Sequence, residues 1–235
     1  MSEHEAPRPR NRAGTERSLL LAVAAVLTED GPSRLSLSAV ARRAGVDKAL
    51  VYRYFDSFAG LLEAYARDSL YWPTLDEVAP DRAELLALPI GKRFSVVMQR
   101  YAAALRARPD TLAILATELA ERGAFQSILE RQRERFGEAL FSLAHDAPKH
   151  VDVAAIATLL TGSIHYLLIR ARQVEVFNGI ALSSDAGWAR IDAALTLLLE
   201  GAVRTSPPEK RRRRRASAQG AAGAVRGSSA LPAKG

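Results

Sequence analysis

The sequence predicts an all-α protein: an N-terminal three-helix domain built on a helix-turn-helix, followed by a larger helical domain. Three observations lead there. Apolar residues recur at helical spacing along most of the chain, no segment alternates for long enough to demand a sheet, and a short helix, a tight Gly-containing turn and a second short helix follow one another between residues 36 and 55.

The first helix is expected after an N-cap at Thr15, with Leu20, Val23, Val26 and Leu27 on one side, and it ends at Glu29-Asp30-Gly31-Pro32. Ser36 is placed to cap a second helix whose Val40, Ala41 and Ala44 share a face, and Gly45 follows where a left-handed residue closes a helix. Asp47 then caps a third helix through Lys48, Val51, Tyr52 and Phe55, and Asp56-Ser57 restarts the chain into a fourth, reaching about Leu70. From Trp72 to Pro89 three prolines interrupt any steady period, leaving an irregular connection with a short helical piece at Asp81 to Leu88. Longer helices are expected over Ile90 to Arg108, Asp110 to Glu121, Ala124 to His145, Lys149 to Phe177 and Asp185 to Arg204. Val174 to Phe177 alternates like a strand, but so short a run reads as an extension of the helix before it.

Both ends read as disordered: a basic Pro/Arg arm over residues 1–14, and a tail over 206–235 that carries six consecutive cations from Lys210 to Arg215. The intended division is therefore an arm at 1–14, a helix-turn-helix domain at 15–56, a helical effector-binding and dimerisation domain at 57–205, and the tail. The tail holds eight basic groups against one acid, which equals the whole net charge of +7. In the rest, residues 1–55 have nine basic and six acidic groups, and residues 56–205 have 16 and 19. Positive charge thus gathers at the ends, a polarity compatible with an N-terminal segment facing a polyanion. The tail is compatible with auxiliary DNA affinity through counterion release, with a sorting or partner signal, and with a solvated end of no function.

Cysteine is absent, so thiol chemistry and thiolate metal sites are excluded, and no apolar run approaches the roughly 18 residues of a membrane span. A cytoplasmic protein without a membrane partner is expected. None of the common motifs of hydrolases, zinc proteases or nucleotide-binding enzymes occurs, so no enzyme and no cofactor is expected. His145, Asp146 and His150 are close in sequence, but Pro148 interrupts the helix that would align them, and they read as solvated loop residues with no metal.

On the third helix Val51 and Phe55, four apart, should face inward and leave Lys48, Ala49, Tyr52 and Arg53 outside, flanked by Leu50 and Tyr54. Such a face suits the major groove of double-stranded DNA. Ala49 admits close approach, Leu50 meets a thymine methyl, Lys48 reaches guanine acceptors or phosphate, and Ser36, Tyr52 and Tyr54 donate to phosphate. The plain alternative is that the aromatics of this stretch are only core. Val151 to Ile169 is apolar or small on nearly every face, which suggests a helix packed on its own core and on a partner chain.

Ser36, Val40-Ala41, Ala44-Gly45-Val46, Lys48, Val51-Tyr52 and Tyr54-Phe55, followed by Leu61-Leu62, resemble the N-terminal signature of the tetracycline-repressor-like (TetR) regulators over about residues 16–65. The resemblance implies an all-helical homodimer that reads a palindromic operator through its N-terminal helix-turn-helix, while the remaining helices enclose an effector pocket and dimerise through the last two. It also implies DNA contacts at Ser36, Ser38, Lys48, Ala49, Leu50, Tyr52, Arg53 and Tyr54. Ala49 and Leu50 stand where the family often has Gly and Thr, and Phe58 where it commonly has a phosphate-binding Lys. Trp72, Met98, Tyr101, Glu118, Arg122, Phe125, His165 and Tyr166 are candidate lining for a small-molecule effector of unknown identity; most of them read otherwise as core, and a histidine such as His165 in an apolar helix is more often a satisfied buried one. The function expected is a regulator of transcription, a repressor released by an apolar effector. The competing readings are an all-α carrier or enzyme with no DNA role and an architectural DNA binder; selectivity for one palindrome at raised salt separates them.

Overall fold

Leu19, Val23, Val26 and Leu27 anchor the N-terminal domain from helix α1, Pro9–Ala25, and the wider π-turn Val26–Asp30 that prolongs it. The computed structural model describes residues 9–118 and 124–204, so residues 1–8, the tail and Arg122 lie outside the described residues. Two expectations change here. Thr15 is no cap, because α1 starts at Pro9 and takes in residues 9–14 of the segment expected as a disordered arm. Leu19, not Leu20, is the fully buried member of the stripe.

Helices α2, Leu37–Ala44, and α3, Lys48–Phe55, follow, then α4, Phe58–Arg67. Helix α4 packs on α1 and α3 on one side and on α9, Ala124–Phe141, on the other, so it joins the two halves of the chain. The proline-rich connection is more ordered than its sequence suggests: Thr74 caps a single turn α5, Leu75–Val78, and α6 covers Arg82–Ala87.

The body is built from α7, Ile90–Arg106, α8, Pro109–Glu118, α9, α10, Val153–Ala171, and α11, Asp185–Arg204. Helix α7 is its axis, packed most extensively on α11 and also on α5, α8 and α10. One core runs through both halves, from Leu19 and Val51 by way of Tyr65, Tyr71 and Trp72 to Tyr101, Leu129 and Ile164. Helix α9 closes in a 3₁₀ turn, Ser142–Ala144, short of the expected His145.

The expected helix from Lys149 to Phe177 is shorter at both ends. Asp152 caps it by accepting from Ala155 N at 3.0 Å, and after Ala171 the chain forms a hairpin, β1 (Val176–Phe177) against β2 (Ile180–Ala181). Asn178 and Gly179 both take positive φ, 48° and 76°, the conformation a two-residue hairpin turn needs. Asn-Gly after an alternating run was the relevant signal, and it outweighs helix continuation. Within α10 an 18-residue window has mean hydropathy 1.5, so by length and composition this helix passes the test for a membrane span that no run was expected to meet.

Candidate nucleic-acid interface and internal cavity

The helix-turn-helix is fixed by its caps. Ser36 Oγ accepts from Ala39 N at 3.2 Å and Asp47 Oδ1 from Ala49 N at 2.7 Å, each satisfying a backbone donor that the first turn leaves free. Gly45, at φ 68°, ends α2 in the left-handed conformation, and its N–H bonds back to Arg42 O. Ser57 caps α4 in turn. Gly60 then passes so close to α3 that a Cβ there would stand 2.1 Å from Phe55 O. Both ends of α3 are therefore positioned by backbone chemistry legible in the sequence.

Burial divides α3 as expected. Val51 is sealed in the core and Phe55 packs against it, while Lys48, Ala49, Tyr52 and Arg53 are exposed and Leu50 and Tyr54 half-buried. Ser36 and Ser38 are exposed at the start of α2, the first with its hydroxyl engaged as a cap. Seven of the eight residues lie on two consecutive helices joined by a three-residue turn, and Ser36 caps the first. Two partners were not anticipated. The Arg12 guanidinium lies 5.1 Å from the Tyr54 ring centroid, which ties α1 to α3, and Arg43 is ion-paired with Glu29.

In the body, α7, α9 and α10 enclose a cavity of about 440 Å³ lined by Trp72, Phe94, Met98, Tyr101, Arg133, Phe136, Thr158, Thr161 and His165, among others. Tyr101 and Phe136 stack with centroids 5.7 Å apart, and Trp72 meets Phe136 and His165 edge-on. Tyr101 Oη is 2.6 Å from His165 Nε2. Burial, with the positive charge of Arg133 adding to it, lowers the His165 pKa from 6.5 to about 4, while burial pushes the Tyr101 phenol far up. Phenol and imidazole are thus both neutral near pH 7 and share this one hydrogen bond. Arg133 is bound to Glu118, at 2.8 Å, and to Tyr71 Oη, also at 2.8 Å.

The candidate lining residues divide. Trp72, Met98, Tyr101 and His165 do line the cavity, and Glu118 bears on it through Arg133. Phe125 is instead a core residue against Tyr65, because its position on α9 turns toward α4. Tyr166, next to His165 on a helix and so about 100° round from it, points outward against Phe177 and is exposed. Reading by residue type missed Arg133. The spacing Leu129, Arg133, Phe136, Leu140 places it in the buried stripe of α9, and an arginine inside an apolar stripe is the signal that would have found it. Arg93 was missed likewise. It is buried and donates to the carbonyls of Leu85, Leu86, Leu88 and Leu143 and to Asp146, so Asp146 is an ion-pair partner and not the solvated loop residue expected.

Outside, α10 and α11 present apolar side chains to solvent: Leu159 and Leu197 are each 71% exposed, Leu198 62% and Tyr166 51%.

Residues 19–65 match the family model described as bacterial regulatory proteins, tetR family. Comparison with curated protein sequences finds no match. Among solved structures, a TetR family transcription regulator from Marinobacter aquaeolei is 16% identical with a TM-score of 0.54, covering 80% of this chain and 97% of its own. NalD of Pseudomonas aeruginosa, the secondary repressor of the MexAB-OprM multidrug efflux pump, is 18% identical with a TM-score of 0.59 over 84% of this chain and all of its own. The regulator FadR of Bacillus subtilis, solved in complex with stearoyl-CoA, is 12% identical with a TM-score of 0.58 over 81% and 99%. At these identities the likeness is one of fold.

Proposed function

We propose, on the premise that residues 19–65 form a tetR-family regulatory domain and that the helical body has the fold of tetR-family regulators, that this chain is a sequence-specific DNA-binding transcriptional regulator. It acts as a homodimeric repressor on a palindromic operator and leaves it when a small, largely apolar effector fills the cavity of the body. The observation that carries the reading is the division of α3: Val51 holds the helix to the core while Lys48, Ala49, Tyr52 and Arg53 stand free on the other side. A helix so presented fits the major groove, where the two cations and the phenol find acceptors and the small Ala49 leaves room for a base edge.

Leu159, Leu197 and Leu198 supply the dimer contact, since exposed leucines on two long helices are covered by a second copy in a two-fold arrangement. That use also accounts for the apolarity of α10 without a bilayer. The eight DNA-contact residues, Ser36, Ser38, Lys48, Ala49, Leu50, Tyr52, Arg53 and Tyr54, divide between base edges and phosphates, with the two serines on the phosphate side.

Selection from random duplexes, followed by footprinting at two salt concentrations, tests the reading. The result expected is one inverted repeat whose half-sites are spaced by whole helical turns of about 34 Å. Equal retention of every duplex, or of none, would overturn it.

A further inference from the structure

The cavity described above is lined by an imidazole, His165, with one nitrogen that has no partner among the described residues. The Tyr101 hydroxyl is buried and has no acceptor among the described residues other than His165 Nε2, so Tyr101 donates and the neutral imidazole carries its proton on Nδ1. Nδ1 makes no hydrogen bond to any described residue. The ring that carries it lines the cavity. The indole Nε1–H of Trp72, another lining residue, is buried and has no acceptor among the described residues. Sealed from solvent, that indole donor is out of reach of a molecule in the cavity, which leaves the Nδ1–H of His165 as the donor such a molecule can meet. The threonines differ: Thr158 and Thr161 each donate to a backbone carbonyl of their own helix at 2.8 Å.

Charge selects further. Arg133 is the cation of the lining, and Glu118 already neutralises it while Tyr71 takes another of its donors. The other charged lining residue, Glu134, is acidic. An anion entering here meets a cation that is already paired and a free carboxylate, so its desolvation goes uncompensated. The walls at Trp72, Tyr101 and Phe136 are aromatic and surround an entering ring with apolar surface.

We propose that the cavity binds an uncharged, mainly aromatic molecule carrying an accepting oxygen, of the ketone type, which takes the Nδ1–H of His165, with Tyr101 as the positioning residue that fixes the imidazole tautomer. This deepens the effector half of the function proposed above and rests on that reading for its biological meaning, though not for its measurement.

The test uses three matched probes on the full chain: 4-phenylbenzophenone, its hydrocarbon counterpart 4-benzylbiphenyl, and the anion 4′-benzoylbiphenyl-4-carboxylate. Calorimetry measures each. In the Trp188→Phe background, where Trp72 is the sole tryptophan, fluorescence quenching reports occupancy at the cavity itself. The ketone is expected to bind roughly ten-fold tighter than the hydrocarbon and than the carboxylate, the worth of one well-made hydrogen bond and of an uncompensated charge. His165→Phe should bring the ketone to the hydrocarbon's affinity while leaving the hydrocarbon within about two-fold, and His165→Gln, which keeps a donor, should restore part of the preference. A carboxylate that binds as tightly as the ketone, a ketone preference that survives His165→Phe, or no quenching of Trp72 by any probe would each overturn the proposal. Should His165→Phe fail to fold, the wild-type ranking and His165→Gln still decide it. A chain that selects a palindrome but ignores all three probes loses this inference and keeps the regulator reading; one that binds the ketone and no palindrome does the reverse.

Discussion

Arg93 donates to both carboxylate oxygens of Asp146, at 2.6 and 2.9 Å, from a side chain that is only 2% exposed, whereas Asp146 is 46% exposed. The guanidinium also caps the carbonyls that end α6 and the 3₁₀ turn after α9, so one cation closes three segments at the base of α7. It holds the Asp146 carboxyl below the usual carboxylate range, chiefly by direct hydrogen bonding.

The two partners should therefore respond unequally to mutation. Arg93→Leu takes its donors from four carbonyls, two of them buried, and is expected to cost about 3 to 5 kcal/mol, measured by denaturant unfolding. Asp146→Asn, at a half-exposed position that keeps an acceptor, should cost no more than about 1 kcal/mol. Equal losses would show that the ion pair, and not the carbonyl capping, is what matters.

His165 makes stability depend on pH. Its folded pKa of about 4 lies below the unfolded value of 6.5, so protons bind preferentially to the unfolded chain. The neutral form's contribution is fully present above pH 6.5 and is lost as the pH falls toward 4. Between pH 7 and pH 5 the loss should be about 2 kcal/mol more in wild type than in His165→Gln, with all other titratable groups common to both. Parallel curves for the two proteins would show that His165 does not titrate in this way.

On α3, Lys48→Ala and Tyr52→Phe should each weaken operator binding by about 1 to 3 kcal/mol with unfolding midpoints nearly unchanged, because both side chains are exposed. Val51→Asp should instead unfold the N-terminal domain by burying an unpaired charge. Operator affinity unaltered in both surface variants would remove α3 from the interface.

For assembly, the exposure of Leu197 allows a cleaner experiment than any core leucine. Leu197→Glu lies outside the protomer's own core and should change protomer stability by less than about 0.5 kcal/mol, while raising the dimer dissociation constant by at least ten-fold in sedimentation. Sedimentation of wild type as a monomer at micromolar concentration would count against the two-fold contact.

The sequence by itself determined the all-helical class, the capped helix-turn-helix and the inward and outward faces of α3. These follow from local rules: Ser36, Asp47 and Ser57 satisfy backbone donors within three residues, Gly45 takes the left-handed conformation, and a four-residue spacing sets which side chains share a face. The Asn178-Gly179 hairpin was equally local, and the helical periodicity before it masked the signal. Only the tertiary structure decided which scattered polar groups meet. Tyr101 and His165 are 64 residues apart, Glu118 and Arg133 fifteen, and Arg93 and Asp146 fifty-three. Their encounter depends on how α7, α9 and α10 cross, and residue type carries no information about crossing. For the same reason Tyr166 and His165, adjacent in sequence and alike in chemistry, part company: the packing of α10 turns one ring into the cavity and leaves the other in solvent.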